Sequence, residues 1–286
     1  MRPTPLPAAP PPYATPILDA LRRGDRDVET AFGRHLHWGY WGAGDVPDGS
    51  LADYDAAAER LSRRICDTIH IGDGQRVLDA GCGLGGTVAS LNERFSSMAL
   101  TGLNIDERQL QRARQQVQAR PGNRVDFVHG DACRMPFPDG AFDAVLAVEC
   151  IFHFPDRARF LEEVRRVLRP GGRLVISDAI PTALSAPLVR LQTRLLRPVF
   201  APLMGRIDVS CGVHEYKELA RNAGLQLASA EDITDRTLGT YPALRRILRS
   251  MEVPRPLAAG AVTALEWVYR SYLLRYAILS FRREKG

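Results

Sequence analysis

The middle of the chain alternates between short apolar runs and helical patterns. Between the runs, apolar residues recur at helical spacing from a glycine-rich turn to about residue 94, over 107–120 and over 157–168. Strands that alternate with such helices predict βαβ crossovers and a doubly wound α/β fold with a mostly parallel sheet. Because the runs are almost wholly apolar, we expect helices on both faces of the sheet. The predicted strands are residues 76–81, 98–105, 125–131, 142–149 and 173–178.

The pattern differs before residue 75. Residues 1–16 contain seven prolines and little that could be buried, which predicts a flexible tail of polyproline character. Residues 17–34 and 51–69 follow a helical pattern, and a glycine-containing loop separates them. We therefore expect an N-terminal helical extension over residues 17–74.

The pattern changes again after residue 180. Residues 181–213 carry leucines at helical spacing, but prolines divide them into short pieces, which predicts an irregular helical segment. Residues 214–286 contain a helical pattern at 215–223, a strand-like run at 225–233, a long helical stretch at 256–274 and a last strand at 274–281. This C-terminal part is predicted to complete the sheet.

Composition places the chain among globular proteins. Of its 286 residues, 45% are hydrophobic and 25% are charged, which excludes a disordered or disulfide-scaffold class. The longest uncharged stretches reach only about half of the ~20 residues that a membrane span needs, and no secretory signal pattern is present. The five cysteines are odd in number and widely spaced, which favours reduced thiols in a cytoplasmic protein over disulfides or a zinc site.

Charge is unevenly distributed along the chain. The net charge of +5 combines a slightly acidic part before residue 180 with a basic part after it. A basic region could face nucleic acid, an anionic membrane surface or an anionic substrate, or could simply be a solvated face. No basic and aromatic run typical of a nucleic-acid module accompanies it. We therefore expect no nucleic-acid partner.

The motif DAGCGLGG stands at residues 79–86, where a predicted strand ends and a helix begins. Gly81, Gly83 and Gly86 match G-x-G-x-x-G, so this stretch alone is also consistent with a dinucleotide site. However, Asp79 precedes the first glycine by two positions, and a carboxylate there repels phosphate and suits a cationic ligand.

Further motifs follow at the expected places: HGDA at 129–132, PFPDGAFDAV at 136–145 and LRPGG at 168–172. Together with DAGCGLGG they resemble the class I methyltransferases that use S-adenosylmethionine, and the resemblance covers about residues 75–180. It implies a seven-stranded sheet, an N-terminal extension that covers the cofactor, and a helical cap over the acceptor pocket at residues 181–213.

The resemblance also implies roles for individual residues. One group matches the positions that hold the amino-acid end of the cofactor, with the carboxylate facing its ammonium: Asp79, Gly81, Cys82 and Gly83. Asp131 and Ala132 match the adenine-binding positions, and the carbonyl of Glu149 would lie near the methionine part. Where many members carry an acid for the ribose, this chain has Asn104, so the ribose and adenine edge is assigned to Asn104, Ile105 and Gln109.

Residues 37–41, HWGYW, resemble an N-terminal element of bacterial sugar O-methyltransferases. By this resemblance Tyr40 would close over the cofactor, while His37, Trp41 and Phe152 would contact the substrate. An aromatic ring next to a sulfonium gains cation–π energy. The tryptophans are equally consistent with ordinary core packing.

Two residues are candidates for catalysis. Relatives carry H-H-M-P-D and I-A-D where this chain has FHFPD at 152–156 and ISD at 176–178. His153 therefore matches the second of two histidines and Phe152 replaces the first. Both His153 and Asp178 follow carboxyl ends of strands, so His153 could accept the acceptor's proton and Asp178 could orient it or bind a hydroxyl. A purely structural role is the alternative for each.

We conclude that the sequence indicates S-adenosylmethionine-dependent methyl transfer to an oxygen or nitrogen of a small, partly apolar metabolite in natural-product biosynthesis. One alternative is C-methylation of an isoprenoid, sterol or tocopherol-like ring, and another is a non-catalytic regulator that binds the cofactor. We expect no metal and no integral membrane association, and the sequence leaves monomer and homodimer open. The arginines of the cap, Arg190, Arg194, Arg197 and Arg206, could face solvent or bind an anionic group.

Overall fold

A seven-stranded mixed sheet forms the centre of the computed structural model, which describes residues 10–191, 205, 207–250 and 255–285. The strand order is β3-β2-β1-β4-β5-β7-β6, with β7 antiparallel to both of its neighbours and β1 to β5 parallel. This confirms the predicted doubly wound, mostly parallel sheet. The strands are β1 (Arg76–Ala80), β2 (Ala99–Asn104), β3 (Arg124–His129), β4 (Phe142–Val148), β5 (Leu168–Pro181), β6 (Leu225–Asp232) and β7 (Leu274–Arg283).

Helices cover both faces of the sheet, as the apolar strands predict. Leu78, Val145 and Leu174 pack on one face, while their neighbours Leu146 and Val175 pack on the other, so successive residues of one strand enter different cores. The helices that lie wholly within the described residues are α1 (Ala14–Arg22), α2 (Arg26–Phe32), α3 (Leu51–Thr68), α4 (Gly86–Arg94), α5 (Glu107–Gln116), α6 (Arg157–Val167), α7 (Val213–Asn222), α8 (Thr240–Ser250) and α9 (Arg255–Arg270).

The N-terminal part differs from its prediction in two ways. The predicted helix over 17–34 is two helices, because Gly24 adopts a φ of +74° and the Asp25 side chain accepts a hydrogen bond from Val28 N to start α2. In addition, α1 begins at Ala14, so residues 14–16 are helical instead of belonging to a flexible tail. Buried residues of α1 and α2 pack with α3 and α8 into a separate small core.

The remaining differences lie near helix ends and in the C-terminal part. Helix α5 ends at Gln116 instead of 120, β5 begins at Leu168, and α8 is not predicted by the sequence pattern. The predicted cap is described in part: residues 186–191 are helical, whereas Leu195, Leu196 and the arginines 194, 197 and 206 lie outside the described residues. Within the described residues, no helix has the length and apolar character of a membrane span.

A buried polar cluster joins β5 to the helices on one face. Tyr216 of α7 donates a hydrogen bond to the carboxylate of Asp178, and Arg157 of α6 donates to the Tyr216 hydroxyl at 3.1 Å. Arg157 also pairs with Asp208 at 2.6 Å. Burial raises the pKa of Asp178 to about 6, although Arg157 and Tyr216 act in the opposite direction. A carboxylate so far from solvent depends on these donors.

Tyr216→Phe should therefore destabilise the protein by about 1–3 kcal/mol, because it leaves a buried acceptor without its phenolic donor. Urea unfolding at neutral pH measures the change. Tyr272→Phe is the matched control, since the half-exposed Tyr272 hydroxyl donates to Asp235 at the surface and its loss should cost less than about 0.5 kcal/mol. Equal losses in the two variants would show that the buried cluster contributes no special stability.

Candidate active site

A cavity opens where β1 to β4 end at their carboxyl termini, and the segment that enters α1 forms its opposite wall. Parallel sheets bind ligands at this edge. The structure places most of the predicted site residues in its lining, while their individual roles stay predictions. These residues are His37, Asp79, Gly81, Cys82, Gly83, Asn104, Ile105, Gln109, Asp131, Ala132, Glu149 and His153.

The glycine turn that connects β1 to α4 provides the floor of the cavity. Gly81 has a φ of +94°, and a Cβ there would lie 2.7 Å from the Cys150 sulfur. A Cβ on Gly86, the first residue of α4, would lie 2.4 Å from Nδ1 of His35. Only glycine fits at these two positions, so the free N–H groups at the start of α4 remain close to the cavity.

Asp79 lies at the end of β1 beside this turn. Its side chain is almost fully buried, and its Oδ1 atom has no hydrogen-bond partner among the described residues. Burial raises the pKa of Asp79 from its ordinary 3.8 to about 7. A buried carboxylate without a donor is expensive, and a cationic ligand group such as an ammonium would supply the missing partner.

The residues predicted for the ribose edge form one hydrogen-bonded group. Asn104 Nδ2 donates to Gln109 Oε1 at 3.1 Å and to the Gly83 carbonyl at 3.3 Å. Asp106, which the sequence analysis did not single out, anchors this group: it caps α5 and forms an ion pair with Arg108 at 2.8 Å. Two amides held in fixed positions can present donors and acceptors to ribose hydroxyls.

Asp131 and Ala132 follow β3 and turn back toward the sheet. The Asp131 carboxylate accepts a hydrogen bond from Cys133 N at 2.8 Å, and Ala132 is buried. Nearby, Nε2 of His129 lies 3.0 Å from the carbonyl of Ile105, which fixes the end of β2 against the end of β3. Asp131 and Ala132 both line the cavity at the carboxyl end of β3.

Glu149 connects three distant parts of the chain at the cavity. Its residue is strained, with a φ of +47°, and its side chain accepts hydrogen bonds from Trp38 N at 2.7 Å and from the Tyr276 hydroxyl. Burial raises the pKa of Glu149 to about 8, although these two donors lower it. A role near the methionine part of the cofactor is predicted for the Glu149 carbonyl, and its carboxyl group in addition joins the N-terminal extension to β7.

The histidines of the N-terminal cluster are held in place by a polar network. Burial lowers the pKa of His37 to about 3, so its ring is neutral, and its two nitrogens lie 2.9 Å from Trp38 O and 2.9 Å from Ser62 Oγ. His35, which was not predicted, also lines the cavity and bonds Glu59 at 3.0 Å. His35 stands two residues before the HWGYW element, and this proximity was the available signal.

His153 follows β4 and faces a residue that no sequence motif indicated. Its Nε2 atom lies 3.0 Å from the Tyr13 hydroxyl, and both residues line the cavity. Phe152, predicted to contact substrate, is not in the lining. Its ring centroid lies 4.5 Å from that of His153, and its carbonyl accepts a hydrogen bond from Asp208.

Three more predicted residues are kept away from the cavity by other contacts. Asp178 is fully buried and bound by Tyr216, so the structure does not support a contact with substrate. Trp41 is buried in the N-terminal core and donates from Nε1 to Asp53 at 2.9 Å. Tyr40 packs toward α3, with its hydroxyl beside Arg64, instead of closing over the cavity.

The fold and this cavity define an α/β enzyme that binds a cationic nucleoside-type cofactor, and the family model described as a methyltransferase domain matches residues 78–176. A 27-O-demethylrifamycin SV methyltransferase of Amycolatopsis mediterranei is 34% identical over 215 residues, which cover 73% of each protein. The methyltransferase GfsG of Streptomyces halstedii is 34% identical over 242 residues, which cover 81% of this chain and 80% of the relative. This chain belongs to the class I methyltransferases that depend on S-adenosylmethionine.

A solved structure is similar over nearly the whole chain. The cyclase SpnF superposes with a TM-score of 0.72 at 26% identity and covers 96% of this chain and 94% of its own. The local geometry fits the cofactor: Asp79 has an unused carboxylate oxygen for an ammonium, and Gly81 and Gly86 leave the space that a Cβ would fill. The dinucleotide interpretation of the glycine motif is therefore wrong.

In the ligand-free protein the ionised form of Asp79 is penalised, so the contribution of Asp79 to the folding stability falls as the pH rises from about 4 to about 7. Asp79→Asn removes the penalty. It should raise the melting temperature by several degrees at about pH 8.5, with a gain that vanishes near pH 4. It should also weaken binding of S-adenosylhomocysteine at least about tenfold, because the ammonium loses its counter-charge. Thermal unfolding and calorimetry measure the two effects.

Asp126→Asn is the control, because Asp126 is an exposed carboxylate on β3 outside the cavity lining. It should change neither the pH dependence nor the affinity. Unchanged affinity in Asp79→Asn, or the same pH profile in both variants, would remove Asp79 from the cofactor site.

Proposed function

We propose that this enzyme transfers a methyl group to a hydroxyl oxygen or an amine nitrogen of a small, partly apolar natural product in the cytoplasm, with oxygen as the favoured acceptor atom. The observation that carries the proposal is that His153 shares one cavity with the Asp79 carboxylate. A possible base and a cofactor anchor therefore meet in the same enclosed space. The relative from Amycolatopsis mediterranei is named for 27-O-demethylrifamycin SV, which supports an oxygen acceptor.

We assign the cofactor-binding roles by matching each lining residue to a chemical group of the cofactor. Asp79 would bind the ammonium, Asn104 and Gln109 the ribose hydroxyls, and Asp131 with Ala132 the adenine. When bound, S-adenosylmethionine supplies a methyl group on a positively charged sulfur. The protein then has to orient the acceptor, exclude water and remove a proton.

Apolar side chains surround His153, the candidate base. Phe154 lines the cavity next to His153, and Phe152 packs against the histidine from outside. Arg190, the one cap arginine described, is half exposed and pairs with Glu215, so it faces outward. These contacts favour a partly apolar acceptor over an acceptor that carries a strongly anionic group.

The free thiol state of the cysteines supports the proposed location in a reducing compartment, the cytoplasm. All five are buried as free thiols. Burial raises the pKa of Cys82 and Cys150, the two that line the cavity, so both thiols stay protonated and act as small apolar wall residues.

The direct test is an acceptor panel with purified protein and S-adenosylmethionine. The panel contains 27-O-demethylrifamycin SV, other partly apolar metabolites with hydroxyl groups, an amine analogue and a prenyl diphosphate, and mass spectrometry locates the new methyl group. We expect transfer to oxygen or nitrogen. Transfer to carbon alone would support the isoprenoid alternative, and cofactor binding without turnover on any member would support the non-catalytic one.

His153→Gln should lower kcat by about 10²–10⁴-fold with cofactor affinity unchanged, because it removes a proton acceptor and keeps a similar volume. Steady-state kinetics and calorimetry with S-adenosylhomocysteine measure the two quantities. His214→Gln, an exposed position on α7, is the control and should leave both unchanged. A kcat of His153→Gln within about twofold of the wild type would contradict the role of His153 as the base.

A further inference from the structure

The segment before α1 places a phenol at the candidate base. Residues 11–13 form a turn in which Ala14 N donates to Pro11 O at 3.0 Å, and this turn directs Tyr13 into the cavity. The Tyr13 hydroxyl lies 3.0 Å from Nε2 of His153, with the ring centroids 5.6 Å apart. A residue from the start of the chain thus contacts a residue 140 positions later.

Several contacts hold this segment against the site. Arg108 of α5 donates to Thr15 Oγ1 at 3.0 Å, and the same guanidinium pairs with Asp106, which anchors the ribose edge. Close approach to Pro12 also requires a glycine at position 205, where a Cβ would lie 2.8 Å from the proline ring. The segment that carries Tyr13 is therefore linked to the ribose edge through Arg108 and Asp106.

The surroundings keep Tyr13 in its neutral form. Burial raises its pKa, and the nearby acidic groups Glu149 and Cys150 raise it further. A neutral phenol can donate one hydrogen bond and accept another at the same time. A neutral phenol next to an imidazole nitrogen can therefore donate its proton to the imidazole while it accepts a proton from another group, and it remains uncharged.

We propose that Tyr13 relays the acceptor's proton to His153 during methyl transfer, an inference that rests on the proposed function. The acceptor O–H bond breaks and its proton moves to the Tyr13 oxygen, while the phenolic proton moves to Nε2 of His153. The acceptor oxygen forms a bond to the methyl carbon, and the electron pair of the breaking carbon–sulfur bond stays on sulfur. His153 ends with one additional proton, which it later releases to solvent.

The test compares Tyr13→Phe with the wild type on the best hydroxyl acceptor of the panel. The relay predicts a loss in kcat of at least about tenfold, with KM and the affinity for S-adenosylhomocysteine changed less than about twofold. Because both residues serve one path, Tyr13→Phe should cost little more in a His153→Gln background. Tyr272→Phe, which removes a phenolic hydroxyl at the surface, should keep wild-type kinetics.

A second measurement is independent of turnover. In protein labelled with ¹⁵N-histidine and saturated with S-adenosylhomocysteine, Tyr13→Phe should shift the Nε2 resonance of His153, which the His153→Gln variant assigns. Full kcat in Tyr13→Phe, a loss confined to KM or cofactor affinity, or an unchanged His153 resonance would each overturn the relay. If the wild type methylates no hydroxyl, the proposed oxygen acceptor is wrong. If the wild type is active and Tyr13→Phe is equally active, only the relay is wrong.

Discussion

The site is organised around Asp79, a buried carboxylate whose Oδ1 atom has no hydrogen-bond partner among the described residues. Asp79 sits at the end of β1 next to Gly81, where the backbone must come within van der Waals distance of Cys150. An isolated buried charge is costly, so burial disfavours the ionised form of Asp79, and a cationic ligand would favour it. Affinity for a positively charged ligand and reduced intrinsic stability are then two aspects of the same arrangement.

The other walls come from segments far apart in sequence, and hydrogen bonds through buried acids hold them together. Glu149 joins Trp38 of the extension to Tyr276 of β7, and Asp106 joins the ribose edge to α1 through Arg108. A carboxylate with several donors fixes the relative position of each donor's segment. The N-terminal extension is thereby a structural part of the site instead of a separate cover.

Local patterns predicted the sheet and the glycine turn, because apolar runs and a Gly-rich strand-to-helix connection are set within a few residues. Such local patterns do not predict contacts between residues that are far apart in the sequence. Tyr13 stands among prolines and its partner is in another part of the chain, so no periodicity marks it. Asp178 and Trp41 carry plausible motifs, yet Tyr216 and Asp53 occupy their polar atoms. Which side of a motif faces a cavity is decided by packing partners that the motif does not contain.

The strand order has a consequence for biosynthesis. Among the described strands β6 pairs with β7 alone, and β7 follows it in the chain after α8 and α9. Until α8, α9 and β7 have been synthesised and β7 has joined the sheet, β6 has no neighbouring strand, and its backbone groups can pair with other nascent chains. The charged and small polar residues along β6, such as Ser229, Glu231 and Asp232, would disfavour pairing of this unpaired strand with other chains.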